Sequence, residues 1–232
     1  MSKKAEIRER RRRQRRQQQI IVIVMIVGAA LIVTALLIWS NFRPIGEVVA
    51  PETMTYPMIE GTSIGDPDAP VVIEEFSDFQ CSFCRIFHEE TLPQIIQEYV
   101  AAGEVYFTFN HYAFIGPEST LAANASMCAA EQGLFWGYAD IIFANQIGEN
   151  AGVITTRRLE AYAEAIGLDT DQFKSCLREE RYQDQIDMDK QAGEDYGIQS
   201  TPSFLINGKL VRGAEPFEIF QAEIEALLAE IE

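Results

Sequence analysis

Two cysteines separated by two residues, Cys81 and Cys84, are the residues whose types and spacing point most directly to chemistry. They follow an apolar run, residues 71–73 continuing to Phe76, that predicts a buried strand, and they stand where a helix should begin. The unpaired backbone N–H groups and the positive end of the helix dipole favour a thiolate at that point. We therefore predict a redox-active dithiol in which Cys81 attacks and Cys84 resolves the mixed disulfide.

A Cys-x-x-Cys pair has two other common uses, zinc binding and covalent haem attachment. A structural zinc site needs about four ligands, and the other candidates are His88 and His111, because Cys128 and Cys176 belong to other helical segments. Covalent haem attachment requires a histidine directly after the second cysteine, where this chain has Arg85. Haem is thereby excluded and zinc is the weaker alternative, so we expect neither a metal nor another cofactor.

The charges divide the chain into two unequal parts. The 232 residues carry a formal net charge of -16, but residues 1–16 contain nine Lys/Arg against two Asp/Glu, so they hold +7 and the remainder holds -23. The next segment, residues 20–39, has no charge and would span roughly 30 Å as a helix at about 1.5 Å per residue. We predict a transmembrane helix, with the basic tail of residues 1–19 in the cytoplasm and the acidic remainder outside.

The N-terminal region has two alternative interpretations. A cleaved signal peptide is one, but the apolar run is longer than the usual core of about 7–15 residues, and its nearest small-residue exit, residues 48–50, is followed by Pro51. A nucleic-acid-binding tail is the other, but membrane topology explains why the basic residues stand directly before the apolar run. We therefore favour an uncleaved anchor and expect no nucleic-acid partner.

The rest of the sequence predicts an α/β domain, residues 61–232, joined to the anchor by a proline-containing linker, residues 40–60. Alternating apolar residues predict a second strand at 105–109. A block rich in Ala, Leu and Glu, at about 117–196, predicts four or five helices. After this block, Asn207-Gly208 between two apolar runs is a hairpin signal, and an amphipathic helix ends the chain.

The order of these elements, together with three motifs, resembles the DsbA-like family of thioredoxin-fold thiol-disulfide oxidoreductases in its membrane-anchored form. The motifs are the segment 75–84 with its two cysteines, the Ala-rich segment 128–133 followed by Phe135 and Trp136, and the segment 200–204 leading into Asn207-Gly208. The resemblance extends from about residue 61 to residue 231 and implies a thioredoxin fold with an inserted helical subdomain. The departure lies at Ser82 and Phe83, where the best-known oxidase has Pro-His.

The resemblance also implies roles for residues outside the dithiol. Glu75 is expected beneath the dithiol, where a buried carboxyl group with a raised pKa could relay the proton of Cys84. A solvent-facing Glu75 is the alternative, since carboxylates are mostly exposed. The family has a cis peptide bond before the proline that corresponds to Pro202. In that form, Thr201 would offer its backbone N–H and C=O groups to an extended substrate segment.

Two further pairs of residues, two cysteines and two histidines, are expected to lie outside the reaction. Cys128 and Cys176 fall in different predicted helices of a domain expected in an oxidising compartment, so we predict a structural disulfide between them. Two free buried thiols are the alternative. His88, one helical turn after Cys84, and His111 are expected to be ordinary, partly exposed surface residues; a role in tuning the thiols is the alternative for each.

These observations predict an extracytoplasmic, membrane-anchored enzyme that introduces disulfides into reduced secreted or cell-envelope proteins. A membrane redox partner, a quinone-linked DsbB- or VKOR-like protein, is expected to reoxidise the dithiol. A reductase of the same fold, for example in cytochrome maturation, and a non-catalytic tethered metal carrier are the alternatives. Because Phe83 stands where the better-known oxidase has histidine, we expect a reduction potential between about -270 mV, the value for thioredoxin, and about -120 mV, the value for DsbA.

Overall fold

The computed structural model describes most of the chain, namely residues 3–41, 46–51 and 54–231. The chain divides into two compact units, Met1–Gly46 and Glu47–Glu232. The described part of the first unit is mainly one helix, α1 (Lys3–Asn41). Its segment Gln18–Leu36, with a mean hydropathy of 2.8, is the one stretch of helix in the described ranges long and apolar enough to cross a membrane. The first unit therefore fits a single-pass membrane anchor.

A five-stranded sheet with the strand order β1-β3-β2-β4-β5 forms the centre of the second unit. The strands are β1 (Ser63–Ile64), β2 (Val71–Ser77), β3 (Val105–His111), β4 (Ser203–Ile206) and β5 (Lys209–Arg212). The central strand β2 is parallel to β3 and antiparallel to β4. The dithiol follows β2, so the chain carries it out of the middle of the sheet. The predicted α/β class is confirmed.

One face of β2 is completely covered by other side chains. Val71, Ile73 and Glu75 all lie on this buried face. Glu75 stands in register with Phe109 on β3 and with Phe204 on β4. Side chains in register on neighbouring strands point to the same face of a sheet. The carboxyl group of Glu75 therefore lies on an otherwise largely apolar face, which sets its pKa.

The predicted hairpin joins β4 to β5. Asn207 and Gly208 form its turn with φ angles of 44° and 81°, the left-handed conformation that a tight two-residue hairpin turn requires and that these two residue types tolerate best. The Asn207 side chain also binds the neighbouring strand. It accepts a hydrogen bond from the backbone N–H of Val72 and donates one to the carbonyl oxygen of Pro70. The turn residues thus help to hold the hairpin against β2.

The helix that begins directly after Cys81 and contains Cys84, here called the dithiol helix, runs from residue 82 to residue 100 and is irregular. Its parts are α2 (Ser82–Ile86), a π-helical turn (Phe87–Thr91), α3 (Leu92–Ile95) and a second π-helical turn (Ile96–Val100). Pro93, which has no backbone N–H to donate within a helix, lies between the two wide turns. The rings of Phe87, Phe204 and Phe220 pack together with centroid distances of 4.4–5.3 Å. This cluster fixes the dithiol helix between β4 and the C-terminal helix.

Five helices occupy the region predicted as a helical block. They are α4 (Pro117–Ala130), α5 (Phe135–Ala144), α6 (Thr156–Ala165), α7 (Thr170–Arg178) and α8 (Gln183–Asp195), and α9 (Phe217–Ala229) follows the hairpin. Thr155 and Asp169 cap α6 and α7 by accepting backbone N–H groups of the first turn. A disulfide between Cys128 and Cys176 joins α4 to α7, with a Cα–Cα distance of 5.8 Å. The block is therefore cross-linked by the pair of cysteines that the sequence indicated.

Part of the predicted linker, residues 40–60, lies within the second unit and packs against its helices. The backbone N–H of Val49 donates to Oδ1 of Asn145 at 2.9 Å, and Nδ2 of Asn145 donates back to the carbonyl of Val49 at 2.7 Å. The ring of Tyr56 stacks on Trp136 at 5.1 Å. The linker composition did not indicate these contacts because they depend on side chains 80–96 residues further along the chain. Val49 and Tyr56 thus belong structurally to the domain.

Candidate active site

Cys81 and Cys84 are free thiols at the start of the dithiol helix. Cys81 is the N-cap residue of α2 and is 6% exposed, whereas Cys84 is completely buried. The Sγ atom of Cys81 also lies 3.3 Å from the carbonyl oxygen of Thr201. Cys81 is therefore the sulfur that a substrate can reach, and Cys84 lies behind it.

The two thiols have pKa values shifted in opposite directions. The pKa of Cys81 is lowered to about 6, chiefly by a hydrogen bond from the thiol of Cys84; burial opposes this effect, whereas the Thr201 hydroxyl and the backbone N–H groups of Cys84 and Phe83 reinforce it. Burial raises the pKa of Cys84 well above its ordinary value, and the neighbouring Cys81 and Glu75 raise it further. At neutral pH, Cys81 is mainly a thiolate and Cys84 keeps its proton. This is the state in which Cys81 is nucleophilic.

Glu75 is buried close to the dithiol, with 1% of its surface exposed. Burial raises its pKa to about 8; the Ser77 hydroxyl lowers it and Cys81 raises it, both by smaller amounts. Neither carboxyl oxygen has a hydrogen-bond partner within the described ranges. A carboxyl group that keeps its proton at neutral pH can exchange it with a neighbouring thiol. The solvent-facing alternative for Glu75 is therefore wrong.

The peptide bond between Thr201 and Pro202 is cis, and both residues are buried. Ser203, the next residue, begins β4 and pairs with Phe76 on β2. Because the dithiol follows the end of β2, this pairing brings Thr201 beside Cys81. The fold thus gathers all the predicted site residues except Cys128 and Cys176, which form the separate disulfide in the helical block.

Both histidines are buried, so the expectation of partly exposed surface residues is wrong. His88 is 4% exposed, and its Nε2 atom lies 2.7 Å from Oδ1 of Asp140. His111 is 1% exposed, and its ring lies 5.9 Å from each of the rings of Phe79 and Phe135. Burial lowers the pKa of His111 to about 3, so its imidazole stays neutral. The local sequence does not show these contacts, because the residues that contact each histidine come from other parts of the fold.

The described residues also bear on the metal-binding alternative. Across 3–41, 46–51 and 54–231, no group of three or more His, Cys, Asp or Glu side chains is arranged to hold a metal ion. In particular, the described contacts of His88 are with Asp140 and the ring of Phe143. At the dithiol itself, the structure has two free thiols and the carboxyl group of Glu75 close by.

Two polar side chains before the dithiol were not singled out from the sequence. The Asp78 carboxylate accepts the backbone N–H groups of Gln80, Phe114 and Ile115 at 2.9–3.2 Å. The Gln80 side chain, 1% exposed, donates to Oγ of Ser119 at 2.8 Å. The bond from Asp78 to the N–H two residues on is an Asx turn, a local signal that the aspartate could have given. Together these contacts fix the turn that leads into Cys81.

Comparison with known proteins identifies the family. The sequence matches the family model described as Thioredoxin over residues 58–226. It is 32% identical over 152 residues to the "Probable disulfide bond formation protein D" of Bacillus cereus, covering 64% of this chain and 70% of that protein. It is 28% identical over 173 residues to the disulfide bond formation protein D of Bacillus subtilis, covering 73% and 78%. The chain belongs to the DsbA-like thiol-disulfide oxidoreductases of the thioredoxin family.

Solved structures agree with this assignment. Oxidised BdbD from Bacillus subtilis superposes with a TM-score of 0.69 at 25% identity, covering 79% of this chain and 100% of that one. DsbA from Chlamydia trachomatis gives a TM-score of 0.65 at 23% identity, covering 81% and 98%, a likeness that supports the fold alone. The predicted thioredoxin fold with a helical insertion is confirmed, and so is the enzyme class.

Within this DsbA-like site, both residues between the cysteines, Ser82 and Phe83, are exposed. The Phe83 side chain is 60% exposed. Ile147, which follows a glutamine bound to the carbonyl oxygen of Cys81, is 67% exposed. Two large apolar side chains are therefore exposed here, Phe83 between the two cysteines and Ile147 next to the glutamine that binds the Cys81 backbone.

Proposed function

We propose that this oxidoreductase introduces disulfides into reduced secreted or cell-envelope proteins through Cys81 and Cys84. The observation that carries the proposal is the opposite shift of the two pKa values, lowered to about 6 at Cys81 and raised well above the ordinary value at Cys84. An oxidase must hold its reduced form more firmly than its disulfide, and a stabilised thiolate does so. The reduced form of this site has such a thiolate.

The proposed reaction starts from the Cys81–Cys84 disulfide. A client thiolate attacks Sγ of Cys81, the bond between the two enzyme sulfurs breaks, and Cys84 leaves as a thiolate that takes up a proton. Glu75, with its pKa raised to about 8, is placed to supply that proton. A second client thiolate then attacks the client sulfur of the mixed disulfide and releases Cys81 as a thiolate. The client gains one disulfide, and the enzyme takes up two electrons.

Substrate recognition is proposed to depend mainly on the backbone. Thr201 precedes the cis Pro202 beside Cys81, where its peptide groups can pair with an extended client segment in the manner of an added strand. Exposed Phe83 and Ile147 would add contacts that depend on apolar character rather than on one side-chain shape. Both features favour a broad range of unfolded clients.

We further propose that residues 20–39 anchor the enzyme with its N-terminus in the cytoplasm and its catalytic domain outside. The support is the +7 charge of residues 1–16 directly before the apolar segment. Protease added to intact spheroplasts should remove the domain. Digestion only after lysis would instead place the domain in the cytoplasm.

A membrane redox partner is proposed to return the dithiol to the disulfide, because each client oxidation leaves Cys81 and Cys84 reduced. A quinone-linked protein of the DsbB or VKOR type could accept the two electrons within the same membrane. Membranes depleted of quinone should accumulate the reduced enzyme, as measured by alkylation of its thiols. Unchanged oxidation in such membranes would point to a soluble oxidant.

Trapping of intermediates tests the proposed activity. The Cys84→Ser variant should accumulate mixed disulfides between Cys81 and client proteins, since the resolving thiol is absent. Addition of the oxidised wild-type protein to a reduced, unfolded client should form client disulfides. A potential at or below about -270 mV, the value for thioredoxin, with no client oxidation would assign the reductase role instead. A metal carrier would lose metal in the variant without trapping any client.

A further inference from the structure

The loop between α5 and α6 contacts the backbone of the dithiol segment through one side chain. Nε2 of Gln146 donates hydrogen bonds to the carbonyl oxygens of Phe79 and Cys81, at 2.8 and 3.0 Å. The two carbonyls belong to the residues on either side of Gln80. One amide group thereby bridges two points of the chain as it turns into the dithiol helix.

The carbonyl oxygen of Cys81 is also part of the first helical turn. It accepts the N–H of Arg85 at 3.2 Å, while the N–H of Cys81 donates to the carbonyl oxygen of Asp78 at 2.9 Å. A carbonyl oxygen has two lone pairs, and Gln146 occupies the second. The backbone on both sides of the Cys81 side chain is therefore held, by the preceding turn and by the helix together with Gln146.

A second glutamine binds in the opposite direction. Oε1 of Gln80, the residue before Cys81, accepts the N–H of Asn150 from the same loop at 2.5 Å. Each of the two segments thus presents a glutamine side chain to the backbone of the other. Such an exchange fixes the distance between them better than either contact alone, because both would have to break for the segments to separate.

The residue before Gln146 is held separately. Asn145 is 5% exposed and exchanges two hydrogen bonds with the backbone of Val49, and its Nδ2 also donates to the carbonyl oxygen of Ile141 at 2.8 Å. Asn145 therefore fixes the point where the loop leaves α5. Gln146 begins from a defined position, so its contact with Cys81 does not depend on the exposed part of the loop.

We propose that Gln146 is a positioning residue of the dithiol, whose amide holds the Cys81 backbone so that Sγ stays beside the groups that stabilise its thiolate. The proposal rests on the proposed role of Cys81 as the attacking thiol. Those groups are the Cys84 thiol, the Thr201 hydroxyl and the N–H groups of Phe83 and Cys84. Hydrogen bonds weaken steeply when distance and angle depart from their optimum. Release of the carbonyl therefore acts on the sulfur without any contact between Gln146 and a substrate.

The decisive variant is Gln146→Met in the full-length protein, which keeps the length of the side chain and removes its donor. We expect the pKa of Cys81 to rise by up to about one unit, which lowers the thiolate fraction up to about tenfold at pH values well below that pKa. Thiolate absorbance against pH and the rate of alkylation of Cys81 measure this shift. Gln146→Glu should raise the pKa further, because its carboxylate cannot donate and adds a negative charge.

Gln94→Met is the matched control. Gln94 is exposed and donates its amide to the carbonyl oxygen of Glu90 in the same dithiol helix, away from the cysteines. This substitution removes an equivalent hydrogen bond and should leave the thiolate titration unchanged. A Cys81 pKa in Gln146→Met equal to that of wild type, with near-UV circular dichroism unchanged, would overturn the proposal. An equal shift in Gln94→Met would overturn it as well.

Val49→Pro tests the proposal if the Met variant does not fold. It removes the N–H that binds Asn145 and fixes φ at a residue that is 54% exposed, and it should shift the Cys81 pKa in the same direction by a smaller amount. No shift in a folded Val49→Pro protein would then reject the positioning role. Titration of the Cys81→Ser variant beside the wild-type protein separates this result from failure of the proposed function. If the titration with the low pKa that is seen in the wild-type protein is also seen in the Cys81→Ser variant, Cys81 is not the reactive thiol.

Discussion

Nε2 of His88 lies 2.7 Å from Oδ1 of Asp140, and this buried pair joins the dithiol helix to α5. The Tyr56 hydroxyl donates to the same carboxylate oxygen at 2.6 Å. Three parts of the second unit therefore meet at one carboxylate: the segment before the sheet, the dithiol helix and the helical block. His88 stands one helical turn after Cys84, so the contact also fixes the helix that carries the dithiol.

Replacement of Tyr56 by Phe tests the strength of this junction. Loss of a donor to a buried carboxylate should lower the free energy of unfolding by about 1–3 kcal/mol, while the ring can still stack on Trp136. Urea unfolding of the purified protein measures the change. Tyr196→Phe, at a 55% exposed residue, controls for removal of a hydroxyl group. Equal unfolding free energies for Tyr56→Phe and wild type would show that the junction does not stabilise the fold.

Glu75 should make the stability of the oxidised protein depend on pH. In the reduced protein its pKa is raised from the ordinary value of 4.5 to about 8, chiefly by burial, which the disulfide does not remove. Its contribution to stability is therefore fully present below about pH 4.5 and is lost as the pH rises through the raised pKa. The loss should be on the order of 4 kcal/mol. Glu75→Gln does not titrate and should lose much less over this range.

Unfolding free energies measured from pH 5 to pH 9 decide this prediction. The oxidised form is used because neither Cys81 nor Cys84 titrates as a disulfide. Other titrating groups, such as His111, are common to both proteins and cancel in the difference between wild type and Glu75→Gln. Parallel pH curves for the two proteins would mean that the carboxyl group is not buried as a proton-holding group.

The parts of this fold that the sequence predicted are those with a local chemical signal. The dithiol, the strand before it and the Asn207-Gly208 hairpin each depend on neighbouring residues, so residue type and spacing were enough. Residue types and spacing alone gave Cys81 and Cys84; the expectations for Glu75 and Pro202 required the family resemblance as well.

The parts that the sequence did not predict depend on contacts between distant residues. His88 and Asp140 are separated by 52 positions, and Gln146 and Cys81 by 65. When the partner of a histidine lies on another helix, the residues around that histidine in the sequence do not show whether it is buried or exposed. Val49 was likewise assigned to a linker because its partner, Asn145, lies 96 residues further on. Such contacts become apparent only when the elements are assembled.

The Cys128–Cys176 disulfide should stabilise the helical block. It links residues 48 positions apart, and closure of a loop of that length contributes roughly 4 kcal/mol in the chain-entropy model. The free energy of unfolding of the Cys128→Ala/Cys176→Ala protein should therefore be lower by roughly 4 kcal/mol. The protein should unfold at a correspondingly lower denaturant concentration. The Cys81→Ser/Cys84→Ser protein, which keeps this disulfide, serves as the control. Equal midpoints and slopes for the two double variants would contradict the prediction.

Phe83 should limit the oxidising strength of the enzyme. It lies between the two cysteines and is 60% exposed, and its ring supplies neither a charge nor a hydrogen-bond donor to the Cys81 thiolate. In Phe83→His, the imidazolium formed below a pKa of about 6.5 would stabilise the thiolate and so the reduced form. The reduction potential should therefore rise by about 30 mV for each tenfold gain in the stability of the dithiol.

Equilibration of each purified protein with glutathione buffers measures this effect. The rise should be larger at pH 6 than at pH 8, because the histidine is charged mainly at the lower pH. Phe83→Leu changes the side chain without adding a charge and should leave the potential close to that of wild type. An unchanged potential in Phe83→His at both pH values would mean that the residue between the cysteines does not interact with the thiolate. In that case the low pKa of Cys81 would depend entirely on Cys84, Thr201 and the backbone N–H groups.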